Sequence, residues 1–431
     1  MIGDNWIRNF IGHLIKLNAL GFTNKYLTER KLAYFACPYR GLMIILQKAF
    51  EINSVNNIVA IWTPNDKIGF LPSVMPSTPL ELSRSNSSSI KLVSESASNL
   101  GVMTNRELED LVSALSNEPE VDPEDTDPAL CEAILRAYVC IAAHLIHRPG
   151  FVQRKELPAP IARPIFAFSK YVKRPPSLTY ASYVLANFAT PIPPRTHPSE
   201  IKVAQTLTGT KDEKWFIAVH LAAESVGAEV VSAINIMAAA FPKDNSELLV
   251  SALESIESSI EFANSIFSTV IGNIDPEIFR NSVRPYLFGH SDIKFKGVSG
   301  EPNVTYVGET GAQSGMMRAV DIALGTRHSN KTSSFFKHFS LCAPPPHQKY
   351  FKQSLKIGQD LLFFSNKNKA VKSARRAALL SVAKFRRSHL DIVNYFLVSN
   401  GRKLTETGTG GTDFINWLGN LAEETEEDAA A

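Results

Sequence analysis

The chain has 431 residues, of which 44% are hydrophobic and 20% are charged, as expected for a globular protein large enough for two domains. Its formal net charge of +3 gives no reason to expect a nucleic acid or a membrane surface as a partner. The four cysteines form no Cys-x-x-Cys pair and no apolar run reaches the ~18 residues of a membrane span, so we expect buried free thiols in a cytoplasmic protein.

The N-terminal part of the chain shows few regular patterns. Residues 1–65 contain apolar and basic pieces whose role the sequence does not assign. The serine-rich stretch 77–99 predicts a flexible surface loop, and a helix is predicted over 104–116 with Thr104 as its N-cap. The acidic run 118–127 predicts a solvated linker.

Helical periodicity dominates from residue 129 onward. The segments 129–147 and 177–188 have the apolar spacing of buried helices, and prolines punctuate the stretch between them. Longer helices are predicted further along the chain at 212–241, 245–273, 311–325 and 371–398. The sequence shows no alternating strand pattern.

These elements predict a mainly α-helical protein. We expect a large C-terminal helical domain over 209–431, a smaller and mostly helical domain over 66–208, and an N-terminal extension over 1–65. The acid-rich stretch 423–428 predicts a solvated tail.

Two histidines lie on apolar helical faces. His389 shares one stripe with Phe385, Ile392 and Phe396, and His220 follows Phe216 by one helical turn. Each fits a core histidine whose nitrogens are satisfied by a nearby carbonyl or carboxylate. Each also fits a haem pocket, because haem needs an axial imidazole in an apolar sheath between helices. The residues alone leave both interpretations open.

The glycine-rich run "TGTGGTD" (407–413) does not follow a predicted strand, so it gives only weak support for a phosphate-binding loop. A flexible loop before the short helix "DFINWL" is the simpler interpretation. The chain carries no Walker loop, no His-Glu-x-x-His and no nucleophile elbow.

Five strings in the C-terminal half resemble the indoleamine 2,3-dioxygenase family: "RPYLFG", "GETGAQSGMMRAVDIALG", "APPPHQKYF", "FRRSHLDIVNYF" and "GTGGTDFINWL". The upstream strings "LTYASYVLANF" and "GFLPSVMPSTPLEL" extend the resemblance to about 69–418. It implies an enzyme that uses haem b and O2 to open the indole ring of L-tryptophan, giving N-formylkynurenine in the first step of the kynurenine pathway. We also expect the protein to be a monomer that binds no nucleic acid.

The resemblance assigns roles around the haem. His389 matches the proximal histidine that ligates the iron, which favours the haem interpretation of its apolar stripe. Arg386 and Asp321 match an ion pair beside the haem.

Further matches are implied for the substrate. Arg284 matches the arginine that binds the substrate carboxylate, a task suited to a bidentate guanidinium. Gly311 and Ala312 match a segment whose backbone approaches the substrate, and Thr409 matches a mobile loop that closes over the site. Aromatic residues match contacts with the indole ring: Phe279, Phe216, Tyr180 and Tyr183.

Two positions depart from the family pattern. His220 stands where serine is usual, and His290 stands where tryptophan is common. His220 could accept a hydrogen bond from the indole N–H, donate one to O2, or coordinate the iron. Three alternatives therefore stay open: a haem enzyme for another indole or tryptophan derivative, a non-catalytic haem-binding protein, and a helical scaffold without a cofactor.

Overall fold

Helices form most of the described chain, which confirms the mainly α-helical prediction. The computed structural model describes residues 60–151, 154–399, 402–403, 407–411 and 413–431, and these belong to one compact unit, Val55–Ala431. Nearly all of the proposed extension and Cys37 lie outside the described residues. A domain boundary near residue 208 stays a prediction. Cys131, Cys140 and Cys342 are free and buried, as expected.

In the described part of the chain, five helices precede residue 175. They are α1 (Pro79–Leu82), α2 (Ser88–Asn99), α3 (Asn105–Leu115), α4 (Pro128–His147) and α5 (Ala159–Val172). The predicted N-cap is confirmed, because the Thr104 hydroxyl accepts from the Glu107 N–H in a capping box.

Two predictions for this part of the chain are wrong, and one helix was not predicted. The serine-rich stretch is not a loop, since the Ser87 side chain caps α2, and Ile90 and Val93 bury its inner face. Helix α5 was not predicted, because Pro164 lies inside it and prolines usually end helices. The buried segment 177–188 contains a π-helical turn, Ala181–Leu185, instead of the expected regular helix.

Nine helices follow residue 210 among the residues that the structure describes. They are α6 (Lys211–Glu224), α7 (Gly227–Ala240), α8 (Ser246–Ser268), α9 (Pro276–Ile278), α10 (Gly315–Ala323), α11 (Asn330–Ser340), α12 (Pro345–Lys367), α13 (Lys369–Leu397) and α14 (Phe414–Ala430). The predicted helix 212–241 is divided in two at Ser225 and Val226. The predicted helix 371–398 corresponds to α13, which packs against both α8 and α14 in the core.

Short strands are present although none was predicted. Strand β1 (Glu156–Leu157) pairs in parallel with β2 (His290–Phe295), which pairs antiparallel with β3 (Asn303–Tyr306). Strand β4 (Val398–Ser399) pairs antiparallel with β5 (Arg402–Lys403). Such short strands contain too few alternations for the sequence pattern to reveal them.

The acidic C-terminal stretch is part of helix α14, so the predicted solvated tail is wrong. Asp428 is buried and forms ion pairs with Arg375 at 2.6 Å and Arg327 at 2.7 Å. Glu424 accepts from His328 at 2.8 Å on the same face, one turn earlier. These cationic partners come from distant segments, which is why a charge run looked solvated in the sequence.

Two segments of the described chain are long and apolar enough to span a membrane by composition alone: Leu130–His147 and Lys211–Lys243. The expectation that no segment has the length and apolar character of a membrane span is therefore wrong, because both segments stay apolar on average although they contain a few polar residues. In each segment, 89% of the apolar stretch is buried inside the fold, as in core helices.

Candidate functional site

A cleft of about 1060 Å³ gathers most of the residues singled out by the sequence. Eight of the twelve candidates line it: His389, His220, Arg284, Phe279, Phe216, Gly311, Ala312 and Thr409. The fold thus brings together residues from five distant segments of the chain.

A second cavity, of about 730 Å³, adjoins the first and shares seven lining residues with it: His220, Phe267, Gly311, Ala312, His389, Trp417 and Leu418. Three further candidates line this second cavity: Tyr180, Asp321 and Arg386. The two histidines therefore lie where the cavities meet.

One candidate does not reach either cavity. Tyr183 is fully buried, its hydroxyl donates to Glu213 at 2.9 Å, and its ring lies 6.5 Å from that of Phe216. Tyr183 thus lines neither cavity, and its place beneath a substrate ring stays a prediction. His290, on β2, lines neither cavity.

Helix α13 presents His389 to the cleft. Ile392 and Val393 line the cleft on the same helical face, which explains why these apolar side chains are only partly buried. Burial, followed by the charge of nearby His220, lowers the pKa of His389 to about 4. The imidazole is therefore neutral at pH 7, and no hydrogen bond to it is formed from the described residues. A neutral imidazole with a free nitrogen is a metal ligand.

His220 faces the same region from α6. Its ring centroid lies 4.9 Å from that of Phe267, which in turn lies 5.7 Å from that of His389. Nδ1 of His220 is 2.8 Å from the carbonyl oxygen of Phe216, which can only accept, so Nδ1 carries the proton. Burial lowers the pKa of His220 to about 4, and its Nε2 therefore holds a lone pair at pH 7.

An ion pair stands beside His389. Nη2 of Arg386 donates to both carboxylate oxygens of Asp321 at 2.6 Å. Burial raises the pKa of Asp321, but Arg386 and then His328 outweigh it and hold that pKa below its usual range. Arg386 also donates to Thr425, so the network joins α10, α13 and α14. The pairing expected from the resemblance is present.

Arg284 occupies the opposite part of the cleft, on a 3₁₀ turn that follows a π-helical turn. Its side chain is buried, its Nη2 donates to the Thr407 carbonyl at 2.9 Å, and its guanidinium lies 4.7 Å from the Phe288 ring centroid. Burial lowers its pKa to about 10, so it stays cationic at pH 7.

Aromatic side chains form one wall between these groups. The rings of Phe216 and Phe279 lie 5.0 Å apart, and those of Phe279 and Phe396 lie 5.6 Å apart. Such edge and tilted contacts make a rigid apolar surface suited to a flat ring.

The segment after β3 closes another side of the cleft. The Gly308 N–H donates to the Thr409 carbonyl at 3.1 Å, and the Glu309 N–H donates to the Leu287 carbonyl at 3.0 Å. Gly308 permits this approach, because a Cβ there would lie 2.0 Å from the Leu287 oxygen. A Cβ on Gly311 would meet nothing within 4 Å, which agrees with the open space expected beside it.

The same segment contributes a cleft residue that the sequence did not reveal. Glu309 lines the cleft with 2% of its surface exposed, and its Oε1 has no hydrogen-bond partner. Burial raises its pKa to about 8. A glutamate between glycine and threonine reads as a loop acid, and only the fold shows that it is buried.

The residues present fit a haem. The described chain contains no group of three or more histidine, cysteine or acidic side chains that could hold a metal ion, so an iron on His389 would need most of its ligands from a cofactor. Apolar side chains surround the imidazole, and Arg318 and Arg386 line the adjoining cavity, where guanidinium groups suit the carboxylates of a haem.

Comparison with known proteins shows which family the chain is similar to. A family model described as "Indoleamine 2,3-dioxygenase" matches residues 63–428. Indoleamine 2,3-dioxygenase qulI of Penicillium citrinum is 28% identical over 298 residues, covering 62% of this chain and 67% of that protein. Indoleamine 2,3-dioxygenase 1 of Rattus norvegicus is 28% identical over 64% of this chain and 73% of that protein. A myoglobin of Haliotis diversicolor is 26% identical, with coverages of 64% and 75%.

Proposed function

The chain belongs to the indoleamine 2,3-dioxygenase family, and from that premise we propose that it is a haem-dependent dioxygenase that opens the indole ring of L-tryptophan to give N-formylkynurenine. One observation carries the proposal: His389 and Arg284, 105 positions apart, line the same cleft. An imidazole suited to iron and a guanidinium suited to a carboxylate thus line one small-molecule space, which supports the proposal.

His389 would hold the iron of the haem. Arg386 forms an ion pair with Asp321 beside it. The bound haem supplies the redox chemistry that lets O2 react with the indole C2–C3 bond, giving a product that contains both oxygen atoms. The Asp321–Arg386 pair ties α13 to its neighbours and so fixes the position from which His389 presents its nitrogen.

The protein positions the substrate. Arg284 remains cationic in the buried cleft and would bind the carboxylate of the amino acid through charge-assisted hydrogen bonds. Phe216 and Phe279 would pack on the indole, and His220 would accept a hydrogen bond from its N–H through Nε2. The apolar lining excludes water from the reacting atoms.

We propose that the protein acts in the cytoplasm as a monomer. Its reaction would be the first step of the kynurenine pathway. The substrate choice is supported by Arg284, which requires a free carboxylate, and by Thr409, whose side chain lies on the cleft wall near it.

Product detection tests the proposal. Reduced, haem-loaded protein mixed with L-tryptophan and air is expected to form N-formylkynurenine, measured by mass spectrometry and absorbance. Arg284→Ala should keep the haem spectrum but lose at least about 100-fold in kcat/KM, because a buried charge-assisted pair is removed. Arg376→Ala, on the exposed face of α13, is the matched control and should turn over normally. Turnover by Arg284→Ala equal to that of the control would contradict the assignment.

A second candidate function is reversible O2 binding without turnover. It is favoured by the relative that carries the name myoglobin and by His220, a second neutral imidazole at the junction of the cavities. A stable oxygenated spectrum in the presence of L-tryptophan, with no product formed, would select this function over the dioxygenase.

A further inference from the structure

The cleft contains two buried ionisable groups of opposite sign. Arg284 is 7% exposed and Glu309 is 2% exposed, and both line the same space. Burial is the cause of the pKa shift of each side chain. No ion pair joins these two described residues, so each presents its own polar group to the cleft.

Their positions are fixed by neighbouring backbone segments. Leu287 ends the 3₁₀ turn that begins at Arg284, and its carbonyl accepts the Glu309 N–H at 3.0 Å. Thr409 is held to the same segment through the Gly308 N–H. Both ionisable residues and the Thr409 loop therefore surround one end of the cleft.

Because burial raises the pKa of Glu309 to about 8, its carboxyl group is mostly protonated at pH 7, and a ligand cation bound beside it would favour the carboxylate. The Oε1 atom of Glu309 is enclosed and has no hydrogen-bond partner. An ammonium group offers three N–H donors and a full positive charge, which matches this vacancy in hydrogen bonding. The guanidinium of Arg284 fits the opposite charge of an amino acid.

We propose that Glu309 recognises the α-ammonium group of the substrate, so that the cleft selects amino acids over indoles with a carboxylate alone. This inference rests on the proposed function, because it names a second determinant of the same substrate site. Glu309 is a specificity-determining residue in this account, and it takes no part in the bond-breaking chemistry.

Three ligands distinguish recognition of the substrate carboxylate from recognition of its ammonium group. L-Tryptophan carries both groups, 3-(indol-3-yl)propanoate lacks the ammonium, and tryptamine lacks the carboxylate. Dissociation constants of the haem-loaded protein are measured for each ligand by isothermal titration calorimetry. The measurements are made on the unmodified protein, Glu309→Gln and Arg284→Ala, with Glu301→Gln on the exposed β2–β3 hairpin as the matched control.

Glu309→Gln should weaken L-tryptophan and tryptamine on the order of 10- to 100-fold, and leave 3-(indol-3-yl)propanoate within about 2-fold. Arg284→Ala should weaken L-tryptophan and 3-(indol-3-yl)propanoate and spare tryptamine. Glu301→Gln should change none of the three constants. Equal changes for L-tryptophan and 3-(indol-3-yl)propanoate in Glu309→Gln, or no change, would overturn the inference while leaving the proposed function in place.

Failure of the proposed function has a different signature. If the unmodified protein binds none of the three indoles, both the substrate class and the inference drawn from it are wrong. The melting temperature of Glu309→Gln guards against misfolding, and it should equal or exceed that of the unmodified protein, because the change removes an unpartnered buried acid.

Discussion

At the scale of single residues, the state of His220 limits what this side chain can do. The sequence left three roles open: acceptor from the indole, donor to O2, and iron ligand. The Phe216 carbonyl fixes the proton on Nδ1, and burial keeps the ring neutral at pH 7. Nε2 can then accept a hydrogen bond or bind iron, but it cannot donate to O2.

The acceptor role of His220 has a measurable consequence. His220→Ala should weaken binding of L-tryptophan by roughly 2- to 12-fold, because one buried hydrogen bond is lost. It should leave 1-methyl-L-tryptophan, which has no N–H to donate, unchanged or bound more tightly. Dissociation constants of both ligands on haem-loaded protein provide the check, and equal weakening of both would refute the acceptor role.

The residues of the site differ in how far the sequence could predict them. The periodic apolar stripe singled out His389, but its role as iron ligand, like the Arg386–Asp321 pair, came from the family resemblance. Glu309 could not be predicted, since its burial depends on the Leu287 carbonyl from a distant turn. The resemblance put Tyr183 beneath the substrate ring, and only the fold shows that it lines neither cavity.

At the scale of elements, α14 closes one side of the proposed haem site by polar contacts. Asp428 meets Arg375 and Arg327, and Thr425 meets Arg386, which lies one turn before His389. These contacts hold α14 against α13 and α10. Sequence periodicity located α13 and α8 correctly, but the acidic stretch concealed α14, since its charges are paired only in the folded chain.

Removing one of these charges should destabilise the fold. Asp428→Ala leaves Arg375 largely buried without its partner and is expected to lower the free energy of unfolding by about 3 to 5 kcal/mol. Glu427→Ala, exposed on the same helix, should change it by less than about 0.5 kcal/mol. Guanidinium unfolding of the two variants makes the comparison, and similar values for both would mean that the pair is not structural.

At the scale of the whole molecule, the described chain surrounds one pair of adjoining cavities with helices from across its length. The helical class followed from periodicity, and the order of the motifs pointed to the family. The short strands and the π-helical turns at Ala181–Leu185 and Phe279–Val283 did not follow, because they depend on tertiary contacts. The turn Phe279–Val283 begins with Phe279 and precedes Arg284, both of which line the cleft, so the site is built partly from irregular structure.

Haem titration of the purified protein tests most directly whether His389 holds iron in this cleft. The unmodified protein is expected to bind one haem per chain, with the absorption spectrum of an imidazole-ligated iron. His389→Gly should bind haem more weakly with an altered spectrum, and added imidazole should restore that spectrum by occupying the vacated position. An unmodified protein that binds no haem, or a His389→Gly variant with the same affinity and spectrum as the unmodified protein, would contradict the account.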